Sequence, residues 1–158
     1  MNIFFLDRDP NRAAQAHFDK HVVKMCIEYA QLLSTAHHVL GTNLSTSALY
    51  KSCYVSHPCA IWVRKSPRNY EWLLELFEAT LNEYTFRYGK THATDRLYNS
   101  LQTLPKFPDM AAPWSDPPQC MPDIHQQLCT VSAYRDYYRR GKSSHLHRWR
   151  NRKAPQWF

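Results

Sequence analysis

Glycine occurs only three times in 158 residues, at Gly41, Gly89 and Gly141, and each follows a stretch whose apolar residues recur every three or four positions. That is where a left-handed helix C-cap belongs. The first helical region opens at Asp9-Pro10, a capping residue followed by proline at the first helical position, with a restart near Asp19 possible. From there Val22, Met25, Tyr29, Leu32, Ala36 and Val39 alternate spacings of three and four until Leu40-Gly41. A second helix starts at Ser66-Pro67, carries Tyr70, Leu73, Leu74, Phe77, Leu81 and Tyr84 on one face, and ends near Tyr88-Gly89. A third lies around Asp123 to Arg140, with Leu128, Val131, Tyr134 and Tyr138 on one side. Ile3 to Leu6 and Ala60 to Val63 are the only strand candidates, and both are short. The expected fold is mainly α: a compact three-helix single domain over residues 1–158.

Six of the ten prolines (Pro105, Pro108, Pro113, Pro117, Pro118 and Pro122) crowd into residues 104–122. Proline removes a backbone donor and locks φ, so this segment reads as an extended surface strap rather than helix or central strand. The chain is long enough for one core, and with 44% hydrophobic residues it has the apolar surface to build it. No run approaches the roughly 20 apolar residues of a membrane span, so no membrane association is expected. The opening Met1-Asn2-Ile3-Phe4-Phe5-Leu6-Asp7 lacks the basic region of a secretory signal. Five cysteines without a CxxC pair favour reduced thiols in a cytoplasm.

Charge is unevenly spread. Residues 135–153 hold eight cations (Arg135, Arg139, Arg140, Lys142, Arg148, Arg150, Arg152 and Lys153) and one acid, Asp136, a surplus equal to the whole net charge of +7. A neutral body with one cationic end is the footprint of a polyanion binder, since neutralised phosphates release counterions. Tyr134, Tyr137, Tyr138, Trp149, Trp157 and Phe158 interleave with these charges, which argues against a disordered tail. Arg135, Arg139, Arg148 and Arg150 are expected to bind phosphate. Arg64, Lys65 and Arg68 form a second patch that reads equally as a solvated helix start. Trp149 could stack on a base or sit in the core.

On the first long helix, His21, Lys24, Glu28, Gln31, Thr35 and His38 form one polar stripe about a quarter of the circumference wide. A carboxylate one turn from a lysine and two from a histidine suits acid/base work. The same stripe also reads as the wet side of a surface helix. Cys53 and Cys59 flank His57, but without CxxC or HxxxH pairing no metal centre and no cofactor is expected; His57-Pro58 reads as a turn whose imidazole bonds backbone or phosphate. There is no GxxxxGK[ST] or GxGxxG loop, no acidic cluster for two magnesium ions and no GxSxG elbow. What remains is chemistry that a few side chains or a free amine can perform.

Asp19-Lys20-His21 followed by six residues and then Glu28 resembles the first-helix D-x-H-x6-E motif of the phage pyrimidine dimer DNA glycosylases (endonuclease V type). The closing Pro155-x-Trp157-Phe158 resembles that family's P-x-W-Y ending, and the chain also resembles a group of small phage proteins opening Met-Asn-Ile-Phe. The glycosylase resemblance implies an all-α DNA glycosylase and abasic-site lyase acting on duplex DNA inside an infected cell, with a kinked duplex and a flipped nucleotide. It implies that the α-amine attacks C1′ to form a Schiff base, that Glu28 stabilises the cationic sugar and moves protons, and that His21 orients sugar or phosphate. An α-amine with an ordinary pKa of about 8 keeps a useful neutral fraction that a lysine lacks. Lys24 and the arginines would hold phosphates, together with His57. The family presents threonine after a removed initiator Met; here Asn2 is large enough to keep Met1 in place, so the free amine falls on Met1, or on Asn2 if Met1 is processed.

Two other readings use the same features. One is a phage protein that binds DNA, RNA or a modified nucleotide without this reaction. The other is an inhibitor of a host nucleic-acid enzyme that presents Trp62 and Trp114 to its partner. A monomer is expected under each.

Overall fold

Asp9 accepts hydrogen bonds from the backbone N–H groups of Asn11 and Arg12, and Pro10 opens the first helix, α1 (Pro10–Ala16). His17 and Phe18 are extended and break the helix, so the restart at Asp19 begins α2 (Asp19–Leu40). The chain then forms α3 (Pro58–Lys65), α4 (Pro67–Tyr88), α5 (Tyr98–Leu101) and α6 (Thr130–Asp136). The computed structural model describes all 158 residues and is all-helical, with six α-helices, short 3-10 turns and no strand.

The mainly-α expectation holds, while the parse into three helices is too coarse. Ser66 ends α3 and caps α4 within one residue, its hydroxyl accepting from the Arg68 N–H, so two helices flank the Ser66-Pro67 signal. Ala60–Val63 belongs to α3, and Ile3–Leu6 is extended but pairs with no strand. The third region is shorter than its periodicity suggests: a 3-10 turn covers Asp123–His125, α6 begins only at Thr130, and a π turn runs over Tyr137–Gly141. Leu128 lies outside the helix, fully exposed.

Gly41 and Gly89 have positive φ, 81° and 65°, as helix-ending glycines do. Gly141 does not, and its need is space: a Cβ there would run into the Tyr137 ring and lie 2.8 Å from His125 Nε2.

The long helices α2 and α4 pack together, with α1 and α3 against α4. Ile3, Phe4, Phe5 and Leu6 are buried in the same core, so the start of the chain threads through the fold and emerges beside α2. Strap 104–122 has no regular structure and is pinned by polar contacts. Lys106 N–H donates to Gly41 O, Ser66 Oγ to Ala112 O, and Trp62 Nε1 to Ser115 O. Trp62, Trp72 and Trp114 meet edge-on or tilted beneath it.

At the opposite end, Arg87 is fully buried and holds three elements together. It bonds Glu83 through Nε at 2.6 Å, Asp19 and the His17 carbonyl through one terminal nitrogen, and the Gln15 carbonyl through the other. Each of its three nitrogens having a partner is what makes a buried guanidinium tolerable. No helix is long and apolar enough to cross a membrane.

Candidate functional site

The emerging N-terminus meets the polar stripe of α2 at Glu28. The Met1 α-amine lies 3.9 Å from Glu28 Oε2, and the Asn2 backbone N–H donates to the same oxygen at 3.2 Å. Whichever of the two residues carries the first amine, that nitrogen sits on this carboxylate. Lys24, one turn earlier on α2, places Nζ 3.1 Å from the other oxygen, Oε1. The glutamate side chain is 12% exposed, so it is sheltered without being sealed.

The stripe is not a simple wet face. His21 and Thr35 are buried, Glu28 and Gln31 are half-buried, and Lys24 and His38 are exposed. The 50–57 loop covers its far end: Thr35 Oγ1 bonds the Cys53 backbone in both directions, and His38 Nε2 bonds Tyr50 O. His21 stacks on Phe4 with centroids 4.7 Å apart and bonds the Tyr138 hydroxyl through Nδ1. Burial lowers its pKa to about 3, so this ring is a neutral packing element at physiological pH and makes no hydrogen bond to Glu28.

Three side chains that sequence spacing did not unite surround Asn2. His57 is the N-cap of α3, its Nδ1 accepting from the Cys59 N–H. Cys59 is the second residue of that helix, and Cys120 comes from the strap 61 positions later, with its sulfur 3.6 Å from that of Cys59. One ligand-type atom from each of the three lies within 4.8 Å of the others. Cys53, the other cysteine near His57 in sequence, bonds Thr35 through its backbone and is not part of this cluster.

Asn2 and Tyr134 hold Cys120 in place. Asn2 Nδ2 donates to Cys120 O at 2.9 Å, the Tyr134 hydroxyl accepts from the Cys120 N–H, and that hydroxyl lies 2.9 Å from Asn2 Oδ1. The Cys59–Cys120 contact moves the two thiols apart in acidity. The contact lowers the Cys120 pKa, and the same contact together with burial raises that of Cys59. Burial and the nearby α-ammonium both lower the pKa of His57, which favours a neutral imidazole whose one lone pair, at Nδ1, accepts from the Cys59 N–H.

The basic segment is more committed than its composition suggests. Arg135 bonds Leu6 O and Asp7 and lies 5.1 Å over Trp157. Arg140 pairs with Asp136, and Arg139 approaches the same carboxylate at 4.0 Å. Arg152 grips Glu83 with two nitrogens. Lys142 sits over the Tyr137 ring. Trp149 bonds Ala16 O and packs on Phe18 and Phe158, a core role. Arg148, Arg150 and Lys153 are exposed and lack a carboxylate partner, although Arg150 lies 5.7 Å over Tyr88.

A cleft of about 450 Å³ lies beside this segment, lined by Arg12, Arg152 and Lys153 with Asp7 and Trp157 among the other walls. A second of about 400 Å³ lies beside α3, between Ile61, Trp62, Lys65 and the strap residues Asp116 and Pro118. Neither is lined by Glu28 or Met1. Arg64 is turned back onto Val55 O, and Arg68 is exposed at the start of α4.

No family model, curated protein or solved structure matches the chain.

Proposed function

We propose that this chain is a DNA glycosylase and abasic-site lyase that uses its α-amine as nucleophile and Glu28 as proton carrier. The observation behind this reading is the 3.9 Å approach of the Met1 nitrogen to Glu28 Oε2, with Asn2 N at 3.2 Å on the same oxygen. A carboxylate so placed accepts the ammonium proton, freeing the lone pair for attack on C1′. The amine displaces the base, which leaves with the proton that Glu28 accepted, and the C1′–O4′ bond then opens, O4′ taking up the amine's second proton, to give an imine; with an abasic sugar the amine adds to the aldehyde and expels water to reach the same imine. Loss of a C2′ proton from the imine expels the 3′-phosphate and cleaves the strand. Lys24, exposed beside Glu28, and the unpaired Arg148, Arg150 and Lys153 supply phosphate contacts.

The test is borohydride reduction during incubation with an abasic-site duplex. The expected result is a covalent adduct mapping to the first residue, lost in Glu28→Gln while salt-sensitive DNA binding persists. No adduct under conditions in which an established lyase traps, or a Glu28→Gln variant that cleaves at the parental rate, overturns the reading.

A second reading, a nucleic-acid binder without this reaction, is favoured by the place of the clefts: the basic one lies at the C-terminal segment and neither reaches Glu28. It expects a steep salt dependence with neither cleavage nor adduct.

A further inference from the structure

We propose that His57, Cys59 and Cys120 form a zinc site with one imidazole and two thiolate ligands. The spacing of the sulfurs is the first reason. Two thiolates on one tetrahedral zinc, with bonds of about 2.3 Å, stand roughly 3.8 Å apart, and Cys59 and Cys120 stand 3.6 Å apart. A disulfide would need about 2.05 Å. The third donor completes a triangle of the right size, all three atoms lying within 4.8 Å of one another.

The second reason is preorganisation. His57 and Cys59 are placed by the first turn of α3, and binding zinc through the imidazole exchanges the cap bond from the Cys59 N–H for the metal. Cys120 is held through both of its backbone polar groups, by Asn2 Nδ2 at the carbonyl and by Tyr134 at the N–H. Such outer contacts orient metal ligands, and a strap with no regular structure would otherwise leave Cys120 free to turn away. The third reason is donor chemistry, since two soft sulfurs and an imidazole select zinc over the hard cations.

Binding converts two thiols to thiolates and releases two protons, so the zinc centre itself is uncharged. Three protein ligands leave the fourth position to water. The α-amine and Glu28 both act on His57 electrostatically. The site stands on its three donors alone and does not depend on the amine reacting with DNA.

The test is metal analysis of the full chain purified from zinc-supplemented cells, followed by zinc titration of the stripped protein against a chromogenic chelator and by cobalt substitution. One zinc per chain is expected, and the cobalt form should show thiolate charge-transfer absorption with tetrahedral d–d bands. Cys120→Ser, on the strap outside the helices, should weaken binding at least about tenfold and reduce the charge-transfer intensity. Asn2→Ala should weaken it roughly tenfold through orientation, and Cys53→Ser should leave it unchanged. Substoichiometric zinc with no cobalt charge transfer overturns the proposal. So does equal weakening in Cys53→Ser, or a Cys59–Cys120 disulfide that persists under reductant. Trapping with abasic DNA in the metal-free protein is read separately, so the two proposals fail independently.

Discussion

Glu28 on α2 and Glu83 on α4 have the same local setting, a cation one helical turn away and a second from a distant part of the chain, yet they are held very differently. Glu83 is 3% exposed and clamped by Arg87 and Arg152 at 2.6–2.7 Å, with Arg87 itself fully buried. Glu28 is 12% exposed, its lysine is 67% exposed, and its α-amine stands off at 3.9 Å. Desolvated guanidinium contacts make a clasp; one long approach and one solvated lysine leave Glu28 more loosely held. The difference lies in burial and in the donor, for arginine's fork commits to a geometry that an ammonium does not.

The largest effect should fall on the clasp. Arg87→Met leaves Glu83 and Asp19 short of a buried partner, and urea unfolding should show a loss of about 3–5 kcal/mol. A loss below about 1 kcal/mol would mean that the cluster is not the structural counterpart of Glu28. Next, Glu28→Gln should cut strand cleavage and imine trapping by at least about a hundredfold while changing stability by under about 1 kcal/mol. Equal damage to folding would erase the contrast.

A third, smaller effect is in pH. Burial lowers His17 and His37 to about 4 and His21 to about 3. A folded pKa below the unfolded value of about 6.5 means the contribution is complete above that pH and is lost as pH falls toward 4. At pH 5.5 the fully buried His17 should have cost on the order of 1 kcal/mol, seen as a falling urea midpoint. The smallest effect separates free from committed cations. Arg148→Ala should lower the salt slope of DNA binding by about one unit, whereas Arg152→Ala should lower stability and leave that slope nearly intact. Equal slopes for both would show that pairing with Glu83 does not withdraw a cation from the surface.

The helical architecture was readable because it rests on local rules. Asp9-Pro10, Ser66-Pro67, Gly41 and Gly89 mark real ends, and proline crowding marks a real strap. The third helix misled because Leu128 fits a 3.6-residue period without any partner to pack against, and because Gly141 serves close packing rather than a left-handed turn. The basic segment misled in another way: composition counts Arg135, Arg140 and Arg152 equally with Arg148, and only long-range packing reveals which have a carboxylate. Glu28 was legible from its stripe. Cys120 was not, because the contact that gives it meaning spans 61 residues; the signal nearest to it was the strap itself, whose many prolines restrict where a cysteine inside it can travel.

Because Ile3 to Leu6 are buried in the core, Met1 starts beside Glu28, and residues joined ahead of it would begin close to His57. An amino-terminal affinity tag would therefore act as a plug, masking the amine and adding its own histidines beside the sulfur pair. Preparations meant for activity or metal assays should carry a cleavable handle at the other end, downstream of Phe158.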